Sequence, residues 1–530
     1  MRNWAIRLAG IVFVLATAWY IPWMVTNLNT SMLWLALPFA GANLLVAVSV
    51  LVTLINNWYR AVPALQPIPE GKEPVVAVIV PTYGEPVTMV ARTIQSILHQ
   101  KWPIERLRII VSDDAHSPEI AALVDAIQRE HRHTIMLYHE PPRRGAPNRH
   151  GEAKAGNLNS ALDVIVRYWQ DVTYIETRDA DDEVGDWDFL RLCVNQLEVD
   201  PRTAYVQTIK EARVSPGDPF ANQNGLFYRG AMLARHHANA VIPCGSGLVW
   251  RKEALLAIGG FPTWNLVEDL QSGVEALRRG WRGAYVPIVG AIGQHAPEDI
   301  PNVYKQSGTW ALDTMRLFFW GSMRGLNVRQ RLQFLELGLF YLQSFAVLTI
   351  LVTLSLSLYS RSYPLTTTAL AYTLHFWPFA LGIELFLAAL NQGQSYEALL
   401  RQREMWIGLA PIFAQACIQA LIYGRNRKPV YRVTRKVHQF NWYWRETLPQ
   451  ALLLVLLLGS IGYALVTSTL LSAFDIGSAY WALFYSVFLF GFVRKGWFGM
   501  RSPSARKDDG QATGIAAHKT EGHSVATPHR

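Results

Sequence analysis

Six apolar runs without a charged residue dominate the hydrophobic pattern of the chain. Two lie near the N-terminus and four in the second half: 8–25, 31–56, 338–360, 366–383, 447–474 and 476–493. Each is about long enough to cross the ~30 Å hydrocarbon core of a bilayer as a helix. The pattern therefore predicts a polytopic membrane protein with six spans.

The basic residues predict the orientation of these spans. The candidate outer loops, at 27–30, at 361–365 and near Asp475, together hold a single arginine. Almost all other Lys and Arg residues fall on the opposite side, which the positive-inside rule makes cytoplasmic. The protein is thus predicted to lie in the inner (plasma) membrane, with its catalytic domain and both termini in the cytoplasm. The net charge of +9 then reflects membrane topology, and no nucleic-acid partner is invoked.

A seventh apolar segment, 405–424, does not fit this scheme. A span there would carry the basic residues between Arg425 and Lys436 to the outer side. The segment also contains Pro411 and two glutamines one helical turn apart. It is predicted to be an interfacial helix on the cytoplasmic face, with a membrane span as the alternative.

Residues 73–301 show a different pattern. Apolar runs typical of strands (VVAVIVPTYG, LRIIVSDDA, TIMLYHE and VTYIETRDAD) alternate with helical patterns through Ile97 and Arg129. This alternation predicts a mostly parallel α/β sheet, whose ligands bind at the carboxyl ends of the strands. Polar residues cluster at three of those ends: Thr82, Tyr83 and Glu85, then Asp113 and Asp114, then Asp179 and Asp181.

The acidic stretch TYIETRDADDE, 173–183, predicts a cation site. Carboxylates this close repel one another unless a cation lies among them. Asp179 and Asp181 can reach the same side of the chain, and oxygen ligands suit Mg²⁺ or Mn²⁺ where a phosphate completes the shell. Asp182 and Glu183 are expected to be solvated or to cap the following helix. A solvated acidic loop is the alternative for the whole stretch.

Seven motifs follow one another along the chain: PTYGEP (81–86), SDDA (112–115), KAGNLN (154–159), DAD (179–181), CGSG (244–247), VED (267–269) and QSGTW (306–310). Each is weak alone. The ordered series resembles family 2 glycosyltransferases, in particular the membrane-embedded processive synthases typified by bacterial cellulose synthase. The resemblance spans roughly 75–436. It implies an α/β GT-A domain inserted in a polytopic α-helical membrane domain.

The resemblance also implies site residues. Those implied to contact the uracil and ribose of a UDP-sugar are Thr82, Tyr83, Glu85, Asp113 and Asp114. Lys154 would add positive charge near the nucleotide. Asp179 and Asp181 would hold the Mg²⁺ or Mn²⁺ that bridges the two phosphates and stabilises UDP as the leaving group.

Asp269 matches the catalytic aspartate of the family's TED motif, written VED here. The acceptor hydroxyl must lose its proton as it attacks the anomeric carbon of the sugar. A carboxylate within hydrogen-bond reach can serve as the base. The expected result is inversion, from an α-linked donor to a β-linked product. The alternative is an ordinary acidic pair, Glu268 and Asp269, at a helix N-terminus.

QSGTW keeps Gln306 and Trp310 of the family's QxxRW motif, but Thr309 stands where Arg is expected. In the processive enzymes the tryptophan would stack on the terminal sugar of the growing polysaccharide, whose C–H face is apolar. A plain core tryptophan is the alternative. Lys305 or Arg316 is the candidate to replace the missing charge near the diphosphate or acceptor.

YRVTRK, residues 431–436, resembles the FxVTxK gating loop of cellulose synthases, with Tyr for Phe. In that family the loop closes over the nucleotide. A basic mobile loop suits this task because its closure excludes water from a reactive sugar. The residues that carry the match are Tyr431, Val433, Thr434 and Lys436. An inner loop that is merely positively charged is the alternative.

The expected domains follow the chain: two transmembrane helices at 1–60, a cytoplasmic GT-A catalytic domain at 73–300, interfacial helices at 301–335, two transmembrane helices at 336–392, the interfacial helix and gating loop at 395–445, two transmembrane helices at 446–495, and a tail at 501–530. The tail has neither aromatic residues nor leucine and is predicted to be disordered.

The expected function is a processive inverting β-glycosyltransferase that polymerises a UDP-sugar and moves the product across the inner membrane. UDP-glucose is the favoured donor, because the gating-loop match is closest to glucan synthases. The expected partners are the donor, the growing polysaccharide, the lipid bilayer and accessory export subunits. The alternatives are a hyaluronan- or chitin-type synthase using N-acetylated UDP-sugars, non-processive transfer to a lipid acceptor, and a catalytically silent membrane scaffold.

Overall fold

The computed structural model describes residues 3–498 except 215–217, 223–224, 266, 392, 428–440 and 468–471. Two long helices come first: α1 (Asn3–Thr26) and α2 (Leu33–Asn57). An eight-stranded sheet follows, made of β1 (Val75–Thr82), β2 (Leu107–Asp113), β3 (Ile135–His139), β4 (Val172–Thr177), β5 (Asp182–Val184), β6 (Thr203–Arg213), β7 (Leu248–Arg251) and β8 (Arg282–His295). The helices between these strands are α3 (Val87–His99), α4 (Pro118–Glu130), α5 (Ala153–Tyr168), α6 (Phe189–Val199), α7 (Met232–His237), α8 (Lys252–Ala257) and α9 (Glu268–Arg278).

The sheet is mixed and mostly parallel, in the order β3-β2-β1-β4-β7-β6-β8-β5. The first four strands in that order are parallel to one another, and β6 is parallel to β8, whereas β7 and β5 run antiparallel to their neighbours. The predicted α/β sheet is confirmed. Its four predicted strands correspond to β1, β2, β3 and β4, so their carboxyl ends lie along one edge.

β1 shows why this region folds as a sheet buried on both faces. Val75, Ala77 and Ile79 pack into one core cluster with α5, α8 and α9. The alternate residues Val76 and Val78 pack into a second cluster, formed with α3, α4 and α6. A continuous apolar run is what a strand covered on both faces requires, because successive side chains point to opposite sides.

Six more helices follow the sheet: α10 (Ile300–Trp320), α11 (Val328–Ser360), α12 (Ala369–Leu390), α13 (Tyr396–Tyr423), α14 (Leu448–Thr467) and α15 (Ala473–Phe498). Within the described residues, seven helices are long and apolar enough to cross a membrane, namely α1, α2 and α11 to α15. α11 begins at Val328, inside the segment 301–335 that is predicted to be interfacial. An Asn327 capping box with Gln330 starts it there.

The three predicted outer loops meet at one end of the helices. The backbone N–H of Asn29 donates to Pro364 O (2.9 Å), and that of Thr366 donates to Asn27 O (2.9 Å). Arg361 Nη1 lies 2.8 Å from Asp475 Oδ1. These contacts place the loops that follow α1 and α11 beside each other and beside the first turn of α15.

α13 lies between the catalytic region and the helical bundle. Its C-terminal Gly424 accepts a hydrogen bond from Arg316 of α10 (3.1 Å), and Gln394, just before α13, packs against Gly225 of the catalytic region. Midway, Gly408 contacts Phe492 of α15. Both ends of α13 therefore contact elements on the catalytic side. This arrangement agrees with the interfacial position predicted from the basic residues. The position of α13 stays a prediction, because the helix is also long and apolar enough to span a membrane.

Candidate active site

The carboxyl edge of the sheet brings the predicted polar residues together, beginning with Thr82 and Asp113, which are paired in register. Asp113 is buried (1% exposed). Its carboxylate accepts hydrogen bonds from Thr82 Oγ1 (2.9 Å), the backbone N–H groups of Ala115 (2.9 Å) and Ser117 (2.7 Å), and the Tyr138 hydroxyl (3.2 Å). With four protein donors, Asp113 joins the ends of β1, β2 and β3 to the N-terminus of α4. This geometry gives Asp113 a structural role, and its predicted contact with a nucleotide stays a prediction.

Asp114 forms a two-point ion pair with an arginine that the sequence analysis missed. Arg149 Nη1 and Nη2 lie 2.7 Å and 2.9 Å from the two carboxylate oxygens of Asp114, and both side chains are almost completely buried. Arg144 lies further out, with its guanidinium carbon 4.1 Å from the centre of the exposed Tyr83 ring. Glu85 accepts a hydrogen bond from the backbone N–H of Tyr83 (2.5 Å). Tyr83, Glu85 and Asp114, which are predicted to bind the nucleotide, thus lie together at the carboxyl ends of β1 and β2.

Two lysines bracket Asp179. Lys154 Nζ lies 2.6 Å from Asp179 Oδ1, and Lys210 Nζ lies 2.6 Å from Asp179 Oδ2. Burial alone would raise the pKa of Asp179, but the two ammonium groups outweigh it and hold the pKa below its usual range. Asp179 is therefore ionised at neutral pH. Lys154 belongs to the KAGNLN motif, whereas Lys210 on β6 was not predicted.

The neighbouring acidic residues are paired within the protein, which corrects the expectation that Asp182 and Glu183 are solvated or cap a helix. Asp182 is fully buried (0% exposed), with its Oδ2 2.9 Å from Lys210 Nζ. Glu183 pairs with Arg213 at 2.6 Å. The sequence predicts a cation among these carboxylates. For Asp179 and Asp182 that cation is a lysine ammonium group, from Lys154 or Lys210.

Asp269 lies at the first turn of α9 and shares surroundings with Lys154. Its Oδ1 accepts a hydrogen bond from the backbone N–H of Leu270 (2.7 Å). Gly245 has a φ of +75°, and a Cβ there would come within 3.0 Å of Asp269 Oδ2 and 2.9 Å of Lys154 Nζ. Only glycine fits this position. The CGSG, KAGNLN and VED motifs therefore meet at one point.

The charges around Asp269 suit a base. Burial and the neighbouring Glu268 carboxylate raise the pKa of Asp269 to about 7, although Lys154 acts in the opposite direction. Lys154 Nζ lies 3.5 Å from Glu268 Oε1. A carboxylate with a pKa near the working pH is well matched to proton transfer, because it is ionised yet basic enough to accept a proton.

The acidic pair can hold a divalent ion only with help from other ligands. Among the described residues, no group of three or more His, Cys, Asp or Glu side chains could enclose a metal. Mg²⁺ is commonly held by one or two carboxylates plus substrate phosphates and water. Asp179 and Asp181 lie on one turn at the edge and fit that pattern if an ion takes the place of a lysine at Asp179, whose two oxygens each lie 2.6 Å from Lys154 or Lys210 Nζ. Burial and neighbouring carboxylates raise the pKa of Asp182, Glu268 and Asp269, so a further cation beside these groups would be electrostatically favourable.

α10 carries the QSGTW residues. Trp310 is 47% exposed, which excludes the alternative of a plain core tryptophan, and Gln306 is half-buried. Arg316 is fully buried, with Nη1 3.0 Å from Asp313 Oδ1, and it also donates to Trp264 O at 3.3 Å. Arg316 therefore fixes α10 to the segment before Asp269 and cannot replace the arginine missing at Thr309. That leaves Lys305 as the remaining candidate.

The predicted gating residues, Tyr431, Val433, Thr434 and Lys436, lie outside the described residues. The segment that leads to them begins at Gly424, which accepts the hydrogen bond from Arg316. Next to it, the Arg425 guanidinium carbon lies 5.1 Å from the centre of the Trp264 ring. The start of this segment therefore contacts Trp264, which precedes Asp269 by five residues in the chain.

A family model described as Glycosyltransferase like family 2 matches residues 74–312. The chain carries a family 2 glycosyltransferase domain. The match includes Thr82, Asp114, Lys154, Asp179 and Asp269 and ends within α10, after Trp310. The structure of the domain agrees, since the sheet edge that holds the ordered motifs is where a GT-A domain binds its ligands.

Curated relatives extend the similarity beyond this domain. Cellulose synthase 1 of Komagataeibacter xylinus is 30% identical over 339 residues, which cover 60% of this chain and 20% of the relative. The UDP-forming cellulose synthase catalytic subunit of Pseudomonas fluorescens is 28% identical over 330 residues, covering 59% of this chain and 42% of the relative. The chain matches less than half the length of either relative.

One solved structure supports the GT-A fold of the glycosyltransferase domain. A mannosyltransferase from Pyrobaculum calidifontis, solved with GDP-Man and Mn²⁺, superposes with a TM-score of 0.51 at 20% identity. The alignment covers 72% of this chain and 99% of the mannosyltransferase. The predicted GT-A fold within a chain of several apolar helices is confirmed.

Proposed function

We propose that this chain is a processive inverting β-glycosyltransferase that polymerises a UDP-sugar, with UDP-glucose as the donor, and passes the β-glucan across the inner membrane. The observation that carries the proposal is the convergence at Gly245. There Lys154, which is bound to Asp179, meets Asp269, whose pKa is raised to about 7. The proposed diphosphate-binding cation and the proposed base therefore lie within about 3 Å of the same point, the position a Cβ would take at Gly245.

Asp269 is the base in this proposal. Its Oδ1 is occupied by the backbone N–H of Leu270, which leaves Oδ2, beside Gly245, to accept a proton. The acceptor hydroxyl attacks C1 of the donor sugar as its proton passes to Oδ2. The bond from C1 to the phosphate oxygen breaks, and its electron pair leaves with UDP. Attack from the face opposite the leaving group inverts the configuration at C1.

Lys154 and the acidic pair act on the leaving group. The Lys154 ammonium stays protonated because Asp179 and Glu268 outweigh the effect of burial and raise its pKa. Asp179 and Asp181 are the residues that would hold a divalent ion. Such an ion, when bound, neutralises charge on the diphosphate. Either Mg²⁺ or Mn²⁺ suits two carboxylate ligands.

The exposed face of α10 is the proposed acceptor site. Trp310 offers an aromatic face to the terminal sugar, and Gln306, one helical turn away, offers an amide. Arg316 ties this helix to Trp264, close to the base. Arg316 also donates to Gly424, where the segment that leads to the gating residues begins. The gating residues between Tyr431 and Lys436 are proposed to close over the nucleotide.

The same proposal includes a topology of six spans, with α13 interfacial and the glycosyltransferase domain and both termini in the cytoplasm. The contacts of α13 with the catalytic side at both ends support it. A C-terminal tag should be digested by protease only in inverted vesicles. Digestion in right-side-out vesicles would mean that α13 spans the membrane.

The donor and product can be tested on the purified chain in nanodiscs. Radiolabel from UDP-glucose should enter a polymer that β-glucanases degrade, whereas label from UDP-N-acetylglucosamine should not be incorporated. The opposite preference would indicate a hyaluronan- or chitin-type synthase. Transfer of a single sugar to lipid would indicate the non-processive alternative, and no transfer from any UDP-sugar would indicate a silent scaffold.

A further inference from the structure

A cavity of about 430 Å³ lies where the catalytic domain meets the first membrane helices, and none of the candidate active-site residues that the structure describes lines it. Its lining comes from four helices. Val14 belongs to α1, Leu51 and Ile55 to α2, Ala234 and His237 to α7 of the glycosyltransferase domain, and Arg329, Leu332 and Gln333 to α11. The glycosyltransferase reaction does not use this cavity.

The membrane side of the cavity is apolar. Val14, Leu51 and Ile55 are all exposed, on helices that are long and apolar enough to span. Leu51 precedes Asn57, the last residue of α2, by about 9 Å of helix. The apolar wall therefore reaches from the end of α2 into the depth at which acyl chains lie.

The opposite side of the cavity is cationic and aromatic. His237 and Arg329 are exposed lining residues from two different helices, and His237 packs against the Tyr59 ring at 5.5 Å between centroids. The Arg7 guanidinium carbon lies 4.7 Å from the centre of the same Tyr59 ring. No aspartate or glutamate is among the lining residues in the part of the chain that the structure describes. Tyrosine and tryptophan are typical of the membrane–water interface, and basic residues there attract anionic headgroups.

From this arrangement we infer that the cavity binds one anionic phospholipid of the cytoplasmic leaflet, with its phosphate at Arg329 and His237 and an acyl chain against Val14, Leu51 and Ile55. Arginine favours phosphate because its planar N–H groups can donate two parallel hydrogen bonds. Because α7 belongs to the glycosyltransferase domain and α2 and α11 to the membrane helices, the lipid ties the domain to the bilayer.

The experiment uses the full chain purified in mild detergent, with mixed vesicles of phosphatidylglycerol and phosphatidylcholine as the source of lipid. Native mass spectrometry then counts the lipids that each chain retains. The wild type should retain one phosphatidylglycerol and no phosphatidylcholine. Arg329→Gln should lower retention about tenfold or more, the scale of one charge-assisted hydrogen bond. Ala238→Leu, which fills the cavity without changing its charge, should do the same.

Arg331→Gln is the matched control, because it removes the same charge from an exposed position of the same helix and does not line the cavity. Its lipid retention should equal that of the wild type. Equal retention of both lipids, or equal loss with Arg329→Gln and Arg331→Gln, would overturn the inference and indicate non-specific annular lipid. The count does not depend on sugar transfer, so it stands apart from the proposed function.

Discussion

The two halves of the strand edge use the same residue type in opposite ways. On the nucleotide half, both aspartates have their partners within the protein: Asp113 accepts four hydrogen bonds from uncharged donors, and Asp114 is paired with the Arg149 guanidinium. On the reaction half, around Asp179 and Asp269, carboxylates outnumber ammonium groups. A satisfied carboxylate holds structure, whereas an excess of carboxylates attracts a cation and raises a pKa. The comparison separates carboxylates that are paired within the protein from the group around Asp269, which is proposed to bind a cation and to accept a proton.

Removing a carboxylate from the reaction half should have the largest effect. Asp181→Ala should abolish sugar transfer and also the part of UDP binding that depends on a divalent ion, because Asp181 is proposed as a ligand of the ion that binds the diphosphate. Calorimetric UDP titrations with Mg²⁺ and with EDTA measure this. UDP affinity that still increases with Mg²⁺ in the variant would show that Asp181 is not a ligand.

Lys210 tests whether the reaction half also depends on internal pairing. Lys210→Met leaves the fully buried Asp182 without its cation, which should lower the free energy of unfolding by about 3–5 kcal/mol. Lys210→Met combined with Asp182→Asn removes both charges and should recover most of that loss. Thermal unfolding in detergent compares the variants. An unchanged melting temperature for Lys210→Met would mean that the pair is not structurally important.

On the nucleotide half, two adjacent substitutions should behave differently. Asp113→Asn keeps one accepting oxygen and loses part of its four-donor network, so it should lower stability by about 1–3 kcal/mol. Asp114→Asn should weaken UDP binding to a similar extent with and without Mg²⁺, since Asp114 is proposed to contact the nucleoside. Melting temperature and UDP affinity are measured on both. Identical profiles for the two variants would remove the distinction between a structural and a binding aspartate.

The smallest effect is expected in the pH profile. Asp269, the proposed base, would act as a carboxylate and its pKa is raised to about 7, so kcat/KM should be low at acidic pH and rise through about pH 7. Glu268→Gln removes a negative neighbour, lowers the pKa of Asp269 and should move the rise to lower pH. Glu275→Gln, on the same helix but paired with Arg278 and Arg279, is the control and should leave the profile unchanged.

The sequence could predict what local pattern determines. The alternation of apolar runs predicted β1 to β4, and the acidic residues after them mark the edge where the site lies. The position of Lys210 was beyond such reasoning, because β6 reaches Asp182 only through its pairing with β8, which in turn pairs with β5. The Arg149 partner of Asp114 was missed for the same reason: it is 35 residues away, in a loop without periodicity.

α13 shows a different limit of sequence reasoning. Its apolar length is the same whether it spans the bilayer or lies along the surface, and the surface was favoured only by the basic residues after it and by the proline and glutamines within it. Arg316 was likewise ambiguous, since a basic residue near QSGTW suits either a ligand contact or an internal anchor. Its burial and its bonds to Asp313 and Gly424 decide for the anchor.

The most direct test of the account is Asp269→Asn, which keeps the size of the side chain but cannot accept a proton at neutral pH. UDP affinity and sugar incorporation should be measured on the variant and the wild type in the same nanodisc preparation. UDP affinity should be unchanged, because donor contacts are proposed for Asp114, Lys154 and Asp181. Incorporation should fall by roughly 10²-fold or more. Near-normal incorporation by a folded Asn variant would contradict the account and place the base elsewhere.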